Sequence, residues 1–313
     1  MPVPSTSDPS ATRRDRAEDR VTVAVITRDR CASLVRTLDA LTALPERPPV
    51  IVVDNSTGDA SLRAVRRHPG AARLLRPRAN TGALGRNLAV DRADTPYVAF
   101  SDDDSWWEPG ALRRAADLLD AHPRLGLVVA RTLVGPEGAE DPLNTVLAAS
   151  PLPPDPDLPG RPVLGFLACA CVVRRDAFRA AGGFHPLLFF GGEETLLAYD
   201  LAAEGWGVAY DPSLTARHHP APAGRQGRSP RLWRNEVLTL WLRRPLSVAL
   251  AAGARLAVAA ATGRPGAAPA LRELLARLPA ALARRRLLPP AVERAARLVD
   301  TDRAARARRE GPA

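Results

Sequence analysis

Short apolar runs alternate with segments of helical periodicity through the first half of the chain. Val21–Ile26 (VTVAVI), Val50–Val53 (VIVV) and Tyr97–Phe100 (YVAF) are apolar runs bounded by polar residues, which predicts buried strands. Between the first two, Leu34, Val35, Leu38, Leu41 and Leu44 recur at helical spacing, and Pro45, Pro48 and Pro49 end that helix. A short helix near Leu62–Arg67 and an extended piece at Arg73–Leu75 follow, then a loop leading into a helix in RANTGALGRNLAVDRA, and a helix start at Pro109. Strand and helix alternating at this spacing predict βαβ units and a mostly parallel sheet flanked by helices, an α/β fold.

The second half is less regular. Strands are expected at Leu125–Ala130, at Ala168–Val173 and near Val208–Tyr210, with helices through Ala177–Ala181 and after the acidic pair Glu193-Glu194. GPEGAEDPLNTVLAASPLPPDPDLPGRP reads as a long, mobile, proline-rich connection, and RQGRSPRLWRNE as a loop. Beyond Pro245 the pattern is helical and rich in Ala, Leu and Arg, so three segments are expected: a disordered 1–20, an α/β domain over 21–244 and a helical extension over 245–313.

Composition narrows the chemistry. All 44 basic residues are arginine, which removes Schiff-base and phosphate-loop lysines. The net charge of +10 is uneven: residues 213–313 hold 20 arginines against 6 acidic residues, while the rest of the chain is slightly acidic. Cys31, Cys169 and Cys171 form a poor zinc set and read as reduced thiols. The N-terminal twenty residues lack the apolar core of a signal peptide, so a cytoplasmic protein is expected.

The functional signal lies where the strands end. Polar clusters Thr27–Arg30, Asp54–Ser56 and Asp102–Asp104 follow the strands, and open sheets of this kind bind ligands beyond their carboxyl ends. Three adjacent carboxylates repel one another unless something positive offsets them. Strand alternation predicts Asp102 and Asp104 on one face, with Asp103 pointing away. Such a pair suits Mg²⁺ or Mn²⁺ bridging to phosphate oxygens; a solvated acidic turn is the alternative.

Taken in order, these motifs resemble family 2 glycosyltransferases of the GT-A fold, in their rhamnosyltransferase-like subgroup, over roughly Val21 to His219. VAVITRDR resembles the family's first strand and donor turn, with Thr27 and Arg28. VIVVDNST resembles the second strand, whose final Asp, here Asp54, contacts the nucleotide base. RANTGALGRNLAV is similar to the donor-binding segment N-x-G-x-x-x-x-R-N, giving Asn80, Gly82, Arg86 and Asn87. YVAFSDDD matches the D-x-D strand, so that Asp102, Asp103 and Asp104 would hold a metal and the diphosphate. AAGGFHPLLFFGGEETLLAYDLAAEGW resembles the acceptor segment, where Glu194 takes the place of the general base and Glu193 is the alternative. His218 or His219 stands where some members carry a further metal ligand; an exposed loop histidine is the other reading. For Trp106 and Trp107 core packing is expected over contact with a sugar or base.

The resemblance implies inverting transfer from a UDP- or dTDP-sugar to a hydroxyl acceptor, assisted by a divalent cation and by Arg86 or an arginine of residues 225–236. A nucleotidyltransferase would open with a Gly-rich basic phosphate loop, which VITRDRCASL lacks; a non-catalytic nucleotide-sugar-binding protein is the remaining alternative. Low aromatic content argues against nucleic acid as a partner. The segment PLSVALAAGARLAVAAATG is too short and too charged for a membrane span, whereas the following Leu/Ala/Arg helices have interfacial composition, which predicts peripheral attachment to an anionic membrane, the inner face of the plasma membrane, near a lipid-linked acceptor. A helical subdomain packed against the sheet is the alternative.

Overall fold

The computed structural model describes residues 20–220 and 230–310. The expected disorder of residues 1–20 falls, apart from Arg20, outside the described residues. In chain order the elements are β1 (Val21–Thr27), α1 (Cys31–Thr42), β2 (Val50–Asp54), α2 (Ala60–Arg67), β3 (Ala72–Leu75), α3 (Leu84–Arg92), β4 (Tyr97–Asp102), β5 (Ser105–Trp107), α4 (Ala111–Ala121) and β6 (Leu125–Val134). There follow β7 (Ala139–Glu140), α5 (Pro142–Ala148), β8 (Arg161–Pro162), β9 (Cys171–Arg174), α6 (Arg175–Ala180), α7 (Glu194–Ala203) and β10 (Gly207–His218), then α8 (Pro230–Arg243), α9 (Leu246–Ala261), α10 (Ala267–Ala283) and α11 (Pro290–Glu310).

One mixed sheet runs β3-β2-β1-β4-β9-β6-β10-β5. The β3-β2-β1-β4 half is parallel, as are β6 and β10, while β9 enters antiparallel between β4 and β6. Alternate side chains of each strand feed opposite layers. Ala24 and Ile26 of β1 pack with Ala89, Val90, Phe178 and Leu197 on one side. Val21, Val23 and Val25 pack with Leu34, Leu38, Leu112 and Leu119 on the other. Burial on both faces is why these strands read as continuous apolar runs.

The structure departs from the sequence expectation in three segments. The supposed mobile connection contains β7, α5 and β8. Asp141 caps α5 by accepting a hydrogen bond from the Leu143 N–H, with Pro142 in the first turn, so the Asp-Pro pair starts a helix within that segment. Asn144 then docks that helix, exchanging two hydrogen bonds with the Thr132 main chain of β6. Ala168–Ala170 is a 3₁₀ turn, so the strand there begins at Cys171. The loop reading of residues 225–236 is replaced from Pro230 by helix α8.

Helices α8, α9 and α10 build their own apolar cluster, into which Leu188 and Leu196 of the sheet region insert. Buried polar groups complete the join. Asn235, with no exposed surface, donates to the carbonyls of Leu188 and Gly191 at 2.8 and 2.6 Å, and Arg234 donates to Leu188 at 2.9 Å. Arg243 meets Asp200 of α7 with both carboxylate oxygens engaged, at 2.5 and 2.9 Å, and both side chains are 4% exposed. Arg244, 1% exposed, ties Glu293 and Asp300 of α11 to the end of α8.

Breaking such a pair from one side strands a buried charge. Arg243→Met is therefore expected to lower the unfolding free energy by about 3–5 kcal/mol, and Arg243→Met/Asp200→Leu to recover most of it. Urea denaturation of the two variants checks this; a single variant within about 1 kcal/mol of the parent would show that the pair does not anchor the helices.

Candidate active site

Register brings the three polar strand ends together. Thr27 is the β1 partner of Asp54, and Ile26 is the partner of Asp102. Above them opens a cavity of about 300 Å³, lined among others by Thr27, Arg28, Asn55, Asn80, Gly82 and Asp102. Arg30, Asp103, Phe189, Phe190 and Arg231 complete its polar and aromatic walls.

The three aspartates are not arranged as alternation foretold. β4 ends at Asp102, and Asp103 and Asp104 lie in the turn to β5, where the period of two no longer applies. Asp102 pairs with Arg86 at 2.5 Å. Asp103 and Asp104 instead share the Arg30 guanidinium, each at 2.8 Å. Thr27 donates to Asp103 at 2.8 Å, and Thr37 donates to its main-chain carbonyl at 2.9 Å. Burial pushes the Asp103 carboxyl up to about 6, against the pull of Thr27 and Arg30. For Asp104 burial works in the same direction, but hydrogen bonds from His218 and Arg30 outweigh it and hold the group below the usual range.

His218 closes β10 with its Nε2 3.5 Å from Asp104, and its Nδ1 is buried without a partner. His219 donates its main-chain N–H to the Asp104 carbonyl at 2.7 Å, and its ring packs on Trp106 with centroids 4.5 Å apart. Burial and then Arg217 lower its pKa. Trp107 is core, at 1% exposure. Among the described residues no group of three or more His, Cys, Asp or Glu side chains is placed to hold a metal by itself. Asp104 and His218 offer one oxygen and one nitrogen, a donor pair that suits Mn²⁺ when phosphate oxygens and water complete the shell.

The remaining expected residues divide into those that line the cavity and those that build it. Asp54 is turned inward: it accepts the Ser56 N–H at 2.9 Å and faces Arg76 at 3.6 Å with no side-chain exposure, so its neighbour Asn55 meets the cavity instead. Asn55 accepts from the Thr81 N–H and hydroxyl, and Asn80 accepts from the Gly82 N–H. Gly82 has φ +57°, and a Cβ there would lie 2.3 Å from the Phe189 carbonyl oxygen. Asn87 spends both ends of its amide on the Phe184 main chain, at 2.9 and 3.0 Å, so it positions the glycine turn before the acidic pair.

Arg86 joins the two halves of the site. It is 1% exposed, lies over the Phe184 ring, and reaches Asp102 with one nitrogen and Glu193 with the other, at 3.5 Å. Burial alone would lower its pKa, but Asp102, Glu193 and Glu194 reverse that and raise it. Glu193 is 3% exposed and its Oε2 has no partner. Glu194 opens α7. Burial holds both carboxyls above the ordinary range; for Glu193 the Glu194 charge adds to this, and for Glu194 its own N–H and that of Ala168 pull back.

Five lining residues were not named as site residues from sequence, Ile26, Arg30, Asn55, Phe189 and Phe190, while Arg231 is one of the arginines expected from residues 225–236. Arg30 and Asn55 belonged to the strand-end clusters and were legible as such. Phe189 and Phe190 come from the segment before the glycine pair, and only tertiary packing delivers them; it also selects Arg231 among the arginines of residues 225–236.

The raised acidic pair has a consequence for pH. An unfolded glutamate ionises near 4.5, so above that value the folded protein retains protons that the unfolded chain has released. Stability must then fall as pH rises, until Glu193 ionises. Between about pH 5 and about pH 8, chemical denaturation is expected to show a shallower decline for Glu193→Gln than for the parent, with the variant more stable at the upper end. Parallel curves would mean that Glu193 is not held protonated.

Comparison with known proteins bears on the fold and the family. The fold is similar to the mannosyltransferase PcManGT from Pyrobaculum calidifontis, solved with GDP-Man and Mn²⁺, at 23% identity and TM-score 0.56, covering 91% of this chain and 80% of that one. It is also similar to residues 1–349 of S. aureus TarS with UDP-GlcNAc (18% identity, TM-score 0.54, 70% and 65% covered). GalNAc-T7 with UDP, GalNAc and Mn²⁺ aligns at 14% identity and TM-score 0.55, over 71% of this chain and 48% of that chain, so this protein spans about half the length of that relative. No curated protein matches the chain in sequence. At these identities the likeness establishes the GT-A fold. Residues 22–182, just over half of the sequence, match the glycosyl transferase family 2 model, and the chain therefore belongs to glycosyl transferase family 2.

Proposed function

We propose that this protein transfers a sugar from a nucleoside-diphosphate sugar to a hydroxyl acceptor with inversion at the anomeric carbon. The observation that carries this reading is the pairing of a strand-end cavity with a raised acidic pair across one buried arginine. The base end of the donor lies against Thr27, Arg28 and Asn55, with Asp54 holding the Ser56 turn beneath it. Asp104 and His218 would hold a divalent cation, which when bound would supply positive charge to the diphosphate. Arg231 faces the same cavity and stabilises the departing nucleoside diphosphate, while Arg30 lines it with both terminal nitrogens on Asp103 and Asp104. Arg86 has its two terminal nitrogens committed to carboxylates, so its part is to place Asp102 and Glu193 rather than to bind phosphate.

Glu194 takes the acceptor's proton as the hydroxyl attacks. A carboxylate whose pKa is raised towards the working pH is the better base. Glu194→Gln is expected to lower transfer by roughly two to four orders of magnitude, with Mn²⁺-dependent nucleoside-diphosphate binding retained; Asp104→Asn loses that binding. Radiolabelled transfer from a panel of UDP-, dTDP- and GDP-sugars, with calorimetric titration of the diphosphates, measures both. Full transfer in excess EDTA, or the Gln effect at Glu193 alone, overturns these assignments.

The acceptor side of the reading is a membrane. On α9, Leu246, Leu250 and Val258 are 52%, 56% and 62% exposed at four- and eight-residue spacing, and on α10 Leu275 and Leu282 are 57% and 47% exposed. Among the described residues no helix is long and apolar enough to cross a membrane. Exposed Arg255, Arg264 and Arg272 share these helices or their junction, and each contributes about 1 kcal/mol near an anionic leaflet. The apolar face therefore lies on an anionic inner leaflet, next to a lipid-linked acceptor. Co-sedimentation with anionic liposomes is expected for the parent, weaker in high salt, and lost in Leu250→Glu/Val258→Glu; equal recovery of parent and variant in the supernatant refutes the assignment.

A further inference from the structure

Two cavities continue past the acidic pair, away from the donor. The first, of about 440 Å³, begins at Gly192 and Thr195 and runs between α8 and α11. The second, of about 550 Å³, lies between α5, the segment Val163–Phe166 and α11. They share Thr195, Tyr199, Asp300 and Arg303 and so adjoin, forming a two-part groove whose lining begins at Thr195, the residue after Glu194.

Their linings differ in chemistry. In the first, Tyr199, Glu236, Asp300 and Arg303 present a mixed aromatic and ionic wall. Thr239 lines it too, with its hydroxyl buried and lacking a hydrogen-bond partner, a state that costs free energy unless a ligand supplies one. In the second, Val146, Leu147, Leu164, Phe166 and Val299 dominate. Val146 is 43% exposed, an apolar side chain left open beside the mouth.

Polar bridges hold the groove open. α11 is its common wall, and α11 is fastened by Arg244 to Asp300 at 2.9 Å, by Arg303 to Glu236 at 3.5 Å and by Arg306 to the Ala149 carbonyl at 3.0 Å. Of these residues, Asp300, Arg303, Glu236 and Arg306 also belong to the cavity linings. An apolar space of this size forfeits the dispersion contacts that a packed interior would gain, so an occupant has much to offer.

Resting on the transferase reading above, we propose that the acceptor is a hydroxyl-bearing amphiphile. Its polar head lies in the first cavity, with a hydroxyl reaching Glu194, and its hydrocarbon or aromatic body fills the second. Hydrophilic acceptors of the same head group would leave the second cavity unused.

The test uses n-butyl and n-octyl β-D-glucopyranoside as probes on the full chain, below the micelle concentration, by isothermal titration calorimetry, with UDP and Mn²⁺ titrated separately. Octyl glucoside is expected to bind more tightly, by about three- to fourfold for each added methylene that the cavity covers. Val146→Asp, at an exposed position, is expected to abolish this chain-length dependence and to leave the nucleotide titration unchanged, which also reports that the variant is folded. Equal affinity for the two glucosides, or octyl binding unaltered in Val146→Asp, overturns the proposal. Loss of nucleotide binding with chain-length dependence intact would instead overturn the donor assignment and leave the groove standing.

Discussion

The site depends on keeping at least five carboxylates close together without letting them repel the chain apart. Arg86 is the central device. Fully desolvated, it reaches Asp102 at the end of β4 and Glu193 at the start of α7, 107 residues further along the chain from itself. Its own burial is tolerable because the acids around it outweigh the desolvation cost. Arg30 and His218 do the same for Asp103 and Asp104 from the open side. A donor metal and diphosphate would therefore enter a cavity whose carboxylates are in part already paired, and Arg30, 40% exposed, is the partner nearest solvent.

The C-terminal helices bear on the chemistry through the main chain. Asn235 and Arg234 capture the carbonyls of Leu188 and Gly191, and Asn87 captures Phe184, so the segment leading to Glu193 is held from both sides. Glycines at 191 and 192, with φ of 88° and 78°, make the turn that this requires. Arg243 and Arg244 extend the same hold to α7 and α11. Helix α8 thus holds the segment before the acidic pair, and with α11 it walls the groove beside it.

Much of the fold was legible because its signals are local. Val21–Ile26, Val50–Val53 and Tyr97–Phe100 became strands within one or two residues of the apolar runs, since burial on both faces leaves no other reading. Periodicity likewise located α1 and α2. The expectation failed where a local signal was misweighted: the Asp141-Pro142 helix start was lost among prolines, and alternation was carried beyond the end of β4 into a turn.

By itself, then, the sequence determined that polar clusters end the strands, that an acidic pair opens a helix and that no lysine chemistry is available. Strand-end position and helix-start position follow from residues within a few places of one another. Which acid meets which base was decided only in three dimensions. Asp103 with Asp104 on Arg30, Asp102 with Glu193 on Arg86, Asp54 turned inward and Arg231 brought to the cavity all join positions tens of residues apart. The groove under α11 is of the same kind, because ion pairs between distant helices set its width and no periodicity along the chain encodes that spacing.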